Sequence, residues 1–298
     1  MNPKQALAIG NVRYEEGDLT PCAHDARDTA RSLRSVGFQV RVGIDLTEEQ
    51  MDSTIDKFAR SVRPGSIVVF YYSGHGAQFD GKNLLLPIDF SNPYCTDAQN
   101  VIQQLHRNRP RVVIVILDCC RTRVSILDAA RHNSFFDRRP KLRDGLSPMK
   151  GPPSTIIAYG CAAGASSIAR SDLRNSVYTH HLLPRLAMPN VEIETVLKHV
   201  AIYVQQASDN EQLPYIHSNC NEPIYLNANI WPNGMSFYPM IKAPDHQWHR
   251  DHHRASHHRS QFDDPSYNSH DRSHLQSRRY PHRKHLWYGA IQYPYKYW

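Results

Sequence analysis

Cysteine is scarce in this sequence, and its arrangement lacks the patterns that usually give it a structural role. The 298 residues include 6 cysteines, with no C-x-x-C pair and no regular spacing among them. Small secreted domains that depend on disulfides carry dense, regularly spaced cysteines, so that class of protein is excluded. We expect the thiols to be reduced, as they are in intracellular proteins.

Long hydrophobic runs are also missing. No segment approaches the roughly 20 apolar residues that a transmembrane helix needs. The first residues, MNPKQALAIGNV, hold an apolar stretch that is too short for a secretory signal peptide and leads directly into polar sequence. These absences predict a cytoplasmic protein with no membrane partner.

Apolar patterns in the first 226 residues predict an alternation of strands and helices. Two runs, at 66–72 and 111–118, are apolar at nearly every position, as in strands buried on both faces of a parallel sheet. The predicted fold class is therefore α/β, a sandwich with a central, mostly parallel sheet flanked by helices. The other predicted strands cover 5–11, 38–43, 154–160 and 222–226, and the predicted helices cover 22–36, 47–62, 96–107, 175–187 and 191–206.

Reactive side chains follow three of these strands. His75 follows the strand at 66–72, Asp118, Cys119 and Cys120 close the strand at 111–118, and Cys161 follows the strand at 154–160. The carboxyl ends of parallel strands meet at one edge of a sheet, where ligands usually bind. We therefore expect these side chains to lie near one another.

A histidine and a cysteine at neighbouring strand ends suit nucleophilic catalysis. The imidazole activates the thiol and later protonates a leaving amine, while backbone N–H groups stabilise the oxyanion. Glycines on both sides of His75 allow a substrate to approach closely. The N–H groups of Gly76 and Cys120 are the candidate oxyanion donors. Taken alone, a histidine after a strand is more often a turn residue than a catalyst, and a buried cysteine is more often inert packing.

Four segments resemble motifs of the caspase-like cysteine peptidases, over roughly residues 5–226. Tyr71 to Gly76 resembles the histidine motif of this family, and Leu117 to Arg121 resembles its D-x-C nucleophile motif. The remaining two are LLLPID at 84–89 and CAHDA at 22–26. Arg121, directly after the cysteine, is more similar to paracaspases than to metacaspases. The resemblance implies a cysteine endopeptidase with His75 and Cys120 as its catalytic pair, with Cys119 as the rival nucleophile on the opposite face.

The resemblance also implies a substrate preference. Asp25 and Asp118 match the positions of the acidic specificity pocket, which implies protein or peptide substrates cut after Arg or Lys. The sequence departs from the paracaspase pattern at Ser166, which follows Gly164-Ala165 where those enzymes carry a third acid. Asp172 is an alternative source of that charge.

The resemblance divides the chain into a peptidase domain and a tail. The predicted domain covers 1–228, with a large part at 1–120, a loop at 121–153 and a small part at 154–228. The loop is basic and is a candidate for self-cleavage. The tail, 229–298, holds ten of the 18 histidines and much of the net charge of +7, and its lack of apolar periodicity predicts disorder.

Partners and cofactors are less constrained by the residues. The resemblance implies a homodimer and, for some members of the family, calcium dependence. The sequence itself indicates no cofactor and no metal ligand. Histidine clusters at 252–253 and 257–258, with aromatic residues such as Trp248, leave metal or nucleic-acid binding by the tail open. The alternative function is a catalytically silent caspase-like scaffold or interaction protein with a basic, His-rich binding tail.

Overall fold

The computed structural model of the protein describes residues 2–15, 17–79, 82–89, 95–120, 149–161 and 172–228, with the backbone alone at Phe79 and Cys120. Most of the loop predicted at 121–153, the tail and Ser166 lie outside the described residues. Eight strands and five helices are described. In chain order they are β1 (Lys4–Gly10), α1 (Pro21–Ser35), β2 (Gln39–Ile44), α2 (Glu48–Ser61), β3 (Ile67–Phe79), β4 (Lys82–Leu85), β5 (Thr96–Asp97), α3 (Ala98–His106), β6 (Val112–Cys120), β7 (Thr155–Tyr159), α4 (Val177–Leu186), α5 (Ile193–Ala207) and β8 (Tyr215–Ser218).

These strands form one mixed sheet with a parallel centre. The strand order is β2-β1-β3-β6-β7-β8, and each neighbouring pair is parallel except β7 with β8. The short strands β4 and β5 extend the end of β3 as antiparallel neighbours. The predicted α/β fold, with a mostly parallel sheet and flanking helices, is confirmed.

Helices cover both faces of this sheet, which explains why its central strands are apolar at successive positions. The helices α1, α4 and α5 pack against one face, and α2 and α3 pack against the other. Successive side chains of β6 point to opposite faces of the sheet, so this strand contributes to the hydrophobic core on each face. Ile114 and Ile116 lie in the core beside α1, α4 and α5, and Val115 and Leu117 lie in the core beside α2 and α3.

The last strand was predicted in the wrong place. The segment 222–226 contributes only an isolated bridge between Tyr225 and Glu192, and the terminal strand of the sheet is β8. Ile224 and Leu226 are buried in the core beside α4 and α5, while Tyr225 is exposed. The apolar alternation at 222–226 therefore reflects packing against helices and not strand pairing.

The β1–α1 connection brings that helix very close to the sheet. A Cβ atom placed on Gly10 would lie 2.2 Å from the carbonyl oxygen of Cys22, so only glycine fits there. This close approach fixes the height of α1 above the sheet, and α1 carries Asp25. Within the described residues, no helix has the length and apolar character needed to cross a bilayer.

Candidate active site

Two adjacent parallel strands carry the predicted catalytic residues. In the pairing of β3 with β6, Ser73 lies opposite Asp118 and His75 lies opposite Cys120. Paired strands run about 4.8 Å apart, so the backbones of His75 and Cys120 are direct neighbours. The sheet thus brings the two residues together at its carboxyl edge.

The rival nucleophile is located by strand alternation. Cys119 is buried at 2% exposure in the core beneath α2 and α3, with Leu117. Asp118 lies on the other face, where it contacts side chains of β3 and α4. Cys119 is therefore directed away from the face that holds the acidic residues. The side chain of Cys120 is outside the described residues, and its assignment as nucleophile stays a prediction.

His75 is buried at 8% exposure and is held from several directions. Its N–H donates to the hydroxyl of Tyr14 at 3.0 Å, and its carbonyl accepts from the hydroxyl of Tyr72 at 2.8 Å and from the N–H of Leu86 at 3.0 Å. The imidazole also lies against the Tyr14 ring, with ring centroids 4.3 Å apart. Sequence reasoning missed Tyr14, because it lies in a segment with no periodic pattern.

Gly76, the predicted oxyanion donor, follows His75 in β3 and lies opposite Leu85 of β4. A Cβ atom at this position would lie 3.1 Å from the Cβ of Cys119, a contact tighter than most side chains accept. A side chain at position 76 would therefore press against the side chain of Cys119 on β6. The oxyanion roles of the Gly76 and Cys120 N–H groups stay predictions.

The two predicted pocket acids meet beside this edge. Asp25 of α1 is fully buried and Asp118 is 3% exposed. Asp25 accepts hydrogen bonds from the Ser73 hydroxyl at 3.0 Å, the Asn175 side-chain amide at 3.0 Å and the Ser176 N–H at 3.1 Å. One carboxylate oxygen of Asp118 accepts from the hydroxyls of Ser176, Thr179 and Tyr71.

Ser176 connects the two acids. Its N–H binds Asp25, its hydroxyl donates to Asp118, and the same hydroxyl accepts the N–H of Thr179 as the N-cap of α4. Sequence reasoning missed both Ser176 and Asn175. A serine near the start of the predicted helix at 175–187 was the available signal, since serine is a common N-cap, but a cap alone does not indicate contact with distant carboxylates.

A charged cluster supports the segment that holds Asn175. Asp28 forms ion pairs with Arg31 at 2.6 Å and with Arg174 at 3.1 Å, and it also accepts from the Asn175 amide at 3.4 Å. Burial opposes ionisation, but these donors and cations together lower the pKa of Asp28. Asp172, the alternative third acid, is exposed, and Ser166 is outside the described residues.

Electrostatics in the acidic pair favour one bound proton. Burial, followed by the negative charge of Asp118, raises the pKa of Asp25 to about 8, although the hydrogen bonds from Asn175, Ser176 and Ser73 act in the opposite direction. A carboxyl with this pKa is mostly protonated at neutral pH. A cation placed between the two acids would favour loss of that proton.

Comparison with known sequences identifies relatives over most of the described residues. The Caspase domain family model matches residues 3–225. Human mucosa-associated lymphoid tissue lymphoma translocation protein 1 is 29% identical over 205 residues, covering 66% of this chain and 23% of its own length. Metacaspase-2 of Trypanosoma brucei brucei is 25% identical over 148 residues, covering 42% of each chain. The chain thus spans less than a quarter of the human relative.

A solved structure shows the same fold. The crystal structure of protein GSU0716 from Geobacter sulfurreducens matches with a TM-score of 0.54 and 20% sequence identity, covering 74% of this chain and 95% of that one. At this identity the match concerns the fold alone. Together with the family model and the metacaspase relative, it confirms the resemblance stated from the sequence motifs.

The raised pKa of Asp25 predicts a pH-dependent cost in stability. Between the ordinary pKa of 3.8 and about 8, the folded protein keeps a proton that the unfolded chain has lost, so stability falls as pH rises through this window and then levels off. Asp25→Asn removes this dependence of stability on pH. At pH 8.5 the free energy of unfolding of the variant should exceed that of the parent by up to about 2–4 kcal/mol, and near pH 4 the two should differ little.

Urea unfolding of both proteins at several pH values measures this difference. Asp18→Asn is the matched control, because it makes the same chemical change at an exposed position. An Asp25→Asn variant with the same pH profile as the parent would show that Asp25 ionises normally in the folded protein.

Proposed function

This chain belongs to the caspase domain family of cysteine endopeptidases, and we propose that it hydrolyses peptide bonds after Arg or Lys with His75 and Cys120 as its catalytic pair. The observation that carries this proposal is the pairing of β3 with β6, which makes the two residues neighbours in register. The buried acids at Asp25 and Asp118 support the substrate preference.

In the proposed reaction the Cys120 thiolate attacks the carbonyl carbon of the scissile bond, and the oxyanion forms beside the N–H groups of Gly76 and Cys120. The His75 imidazolium then gives its proton to the leaving amine as the carbon–nitrogen bond breaks. Water, deprotonated by His75, hydrolyses the resulting thioester and frees the thiol. Burial of His75 limits its rotation and supports both proton transfers.

A basic side chain at the cleavage site suits the charge of the acidic pair. A guanidinium or ammonium group offers several N–H donors, and Asp25 and Asp118 offer carboxylate oxygens in a buried setting. Donors from Ser73, Asn175, Ser176 and Thr179 already hold these carboxylates, so little reorganisation is needed on binding. Because Ser166 stands where paracaspases carry a third acid, the pocket either binds a basic side chain more weakly or uses another acid such as Asp172.

Assembly, cofactors and location stay predictions. β8 is the terminal strand of the described sheet and Tyr215 on it is 46% exposed, which supports the proposed homodimer through strand pairing. A cytoplasmic location is the expectation from the sequence, whereas calcium dependence and binding of metal or nucleic acid by the tail are left open by it.

Cleavage of short fluorogenic peptides tests the proposed function. Peptides with Arg or Lys before the leaving group should be cleaved, with and without calcium as separate arms, and the matching Asp peptide should not. Cys120→Ala should lower the rate by about a thousandfold or more, since the nucleophile is lost. Cys119→Ala is the matched control and should retain most of the activity.

No turnover by the parent, with Cys120→Ala behaving like it, would overturn the protease proposal and favour a catalytically silent scaffold. Loss of activity in Cys119→Ala alone would move the nucleophile to that residue.

The acidic pair predicts that selectivity for a charged substrate rises with pH. The ratio of kcat/KM for an arginine peptide to that for its uncharged citrulline isostere should increase several-fold from pH 6.5 to 9, because the proton on Asp25 competes with the cation. Titration of the catalytic pair affects both substrates and cancels in the ratio. Asp25→Asn should give a ratio that is low and independent of pH. A constant ratio in the parent would contradict the assignment of Asp25 to the pocket.

A further inference from the structure

We propose that Tyr14 is a positioning residue that holds the His75 imidazole in its catalytic orientation. Tyr72 assists it by binding the backbone carbonyl of His75. This inference rests on the proposed function, because it concerns the histidine of the same catalytic pair. Tyr14 belongs to none of the motifs recognised in the sequence, and it lies in the segment between β1 and α1.

The first observation is that two tyrosine hydroxyls bind both backbone groups of His75. The N–H of His75 donates to the Tyr14 hydroxyl at 3.0 Å, and its carbonyl accepts from the Tyr72 hydroxyl at 2.8 Å. The Tyr14 hydroxyl also donates to the carbonyl of Leu86 at 3.1 Å, and the single proton of the Tyr72 hydroxyl is shared between the carbonyls of His75 and Leu86, the latter at 2.9 Å. The backbone of the histidine is therefore held on its two sides by a single hydrogen-bond network.

The second observation is that the aromatic ring of Tyr14 contacts the imidazole itself. The ring centroids are 4.3 Å apart and the planes are tilted by 57°, a separation typical of packed aromatic pairs. Tyr14 is only 6% exposed, so its ring also keeps solvent from that side of His75. A ring in this position restricts rotation of the imidazole about its side-chain bonds.

The third observation is that the neighbouring glycine leaves space for this arrangement. A Cβ atom on Gly74 would lie 2.6 Å from the Tyr72 hydroxyl and 2.7 Å from the Tyr14 hydroxyl. Any side chain at position 74 would displace the two hydroxyls that bind His75. The glycine of the histidine motif thus serves the tyrosine network as well as substrate approach.

Tyr14 is itself firmly anchored, as a positioning residue must be. Asp45 accepts the N–H groups of Val12 and Arg13 at 2.7 and 3.2 Å, which fixes the start of the segment. Burial raises the pKa of the Tyr14 hydroxyl well above its ordinary value, so the hydroxyl keeps its proton at physiological pH. It can therefore donate to Leu86 while it accepts from His75.

The test compares Tyr14→Phe and Tyr14→Ala with the parent in the full-length protein, using an arginine peptide. Tyr14→Phe keeps the ring and loses the hydroxyl, so kcat should fall by about 3- to 10-fold, because the N–H of His75 loses its acceptor. Tyr14→Ala also frees the imidazole, and kcat should fall by roughly 100-fold. KM should stay within about threefold in both, because the acidic pocket is untouched.

A matched control separates positioning from a general loss of structure. Tyr203→Ala removes a tyrosine of α5 that contacts His181 and Arg185 instead of His75, and it should leave kcat within about twofold of the parent. Thermal unfolding of each variant establishes that it is folded at the assay temperature. If Tyr14→Ala does not fold, Tyr14→Phe decides the outcome.

A second measurement needs no substrate. Iodoacetamide modifies Cys120 at a rate that depends, at pH 7, on activation of the thiol by the imidazole. Fragmentation mass spectrometry of the peptide 112–121 measures this rate. Tyr14→Ala should lower this rate about tenfold at pH 7 and leave it unchanged near pH 10, where the thiol ionises without help.

Each result decides the proposal. A fall in kcat with constant KM, together with an alkylation defect confined to neutral pH, supports the positioning role. A folded Tyr14→Ala variant with kcat within twofold of the parent overturns it, and so does an alkylation defect of equal size at pH 7 and pH 10. If the parent cleaves no peptide, the proposed function fails, and the alkylation rates alone decide whether Tyr14 positions His75.

Discussion

The parallel pairing of β3 with β6 is the constraint on which the site depends. It runs without a break from Ile67 opposite Val112 to His75 opposite Cys120, so the register set in the apolar centre determines which polar residues meet at the edge. A shift of one residue would move every side chain to the other face and would exchange Cys119 with Cys120. The burial of both strands between two layers of helices makes such a shift costly.

The acidic pair imposes the second requirement, because two buried carboxyls repel each other and lose hydration. The fold offsets this cost with donors from separate elements: Ser73 on β3, and Asn175, Ser176 and Thr179 at the start of α4. Asp25 reaches these donors because α1 packs closely over Gly10. The proposed specificity pocket and the packing of α1 and α4 against the sheet are therefore aspects of one arrangement.

The sequence patterns predicted the centre of the molecule better than its connections. Continuous apolar runs identified β3 and β6, and the motifs at their ends identified His75, Asp118 and the cysteine pair. Tyr14, Asn175 and Ser176 were missed because the role of each depends on a partner distant in the chain, such as Ser176 with Asp25 at 3.1 Å. The strand predicted at 222–226 was wrong for a related reason, since alternating burial arises from helix packing as well as from strand pairing.

Cys120 is proposed to be a nucleophile that is activated beside His75 and served by an acidic pocket. Covalent labelling by a peptidyl chloromethyl ketone tests this most directly. The adduct is located by mass spectrometry on the intact protein and on the peptide 112–121. The account predicts one adduct, on Cys120, with the arginine reagent, and none with the aspartate reagent at the same concentration. Labelling of Cys119, or preferential reaction with the aspartate reagent, would contradict it.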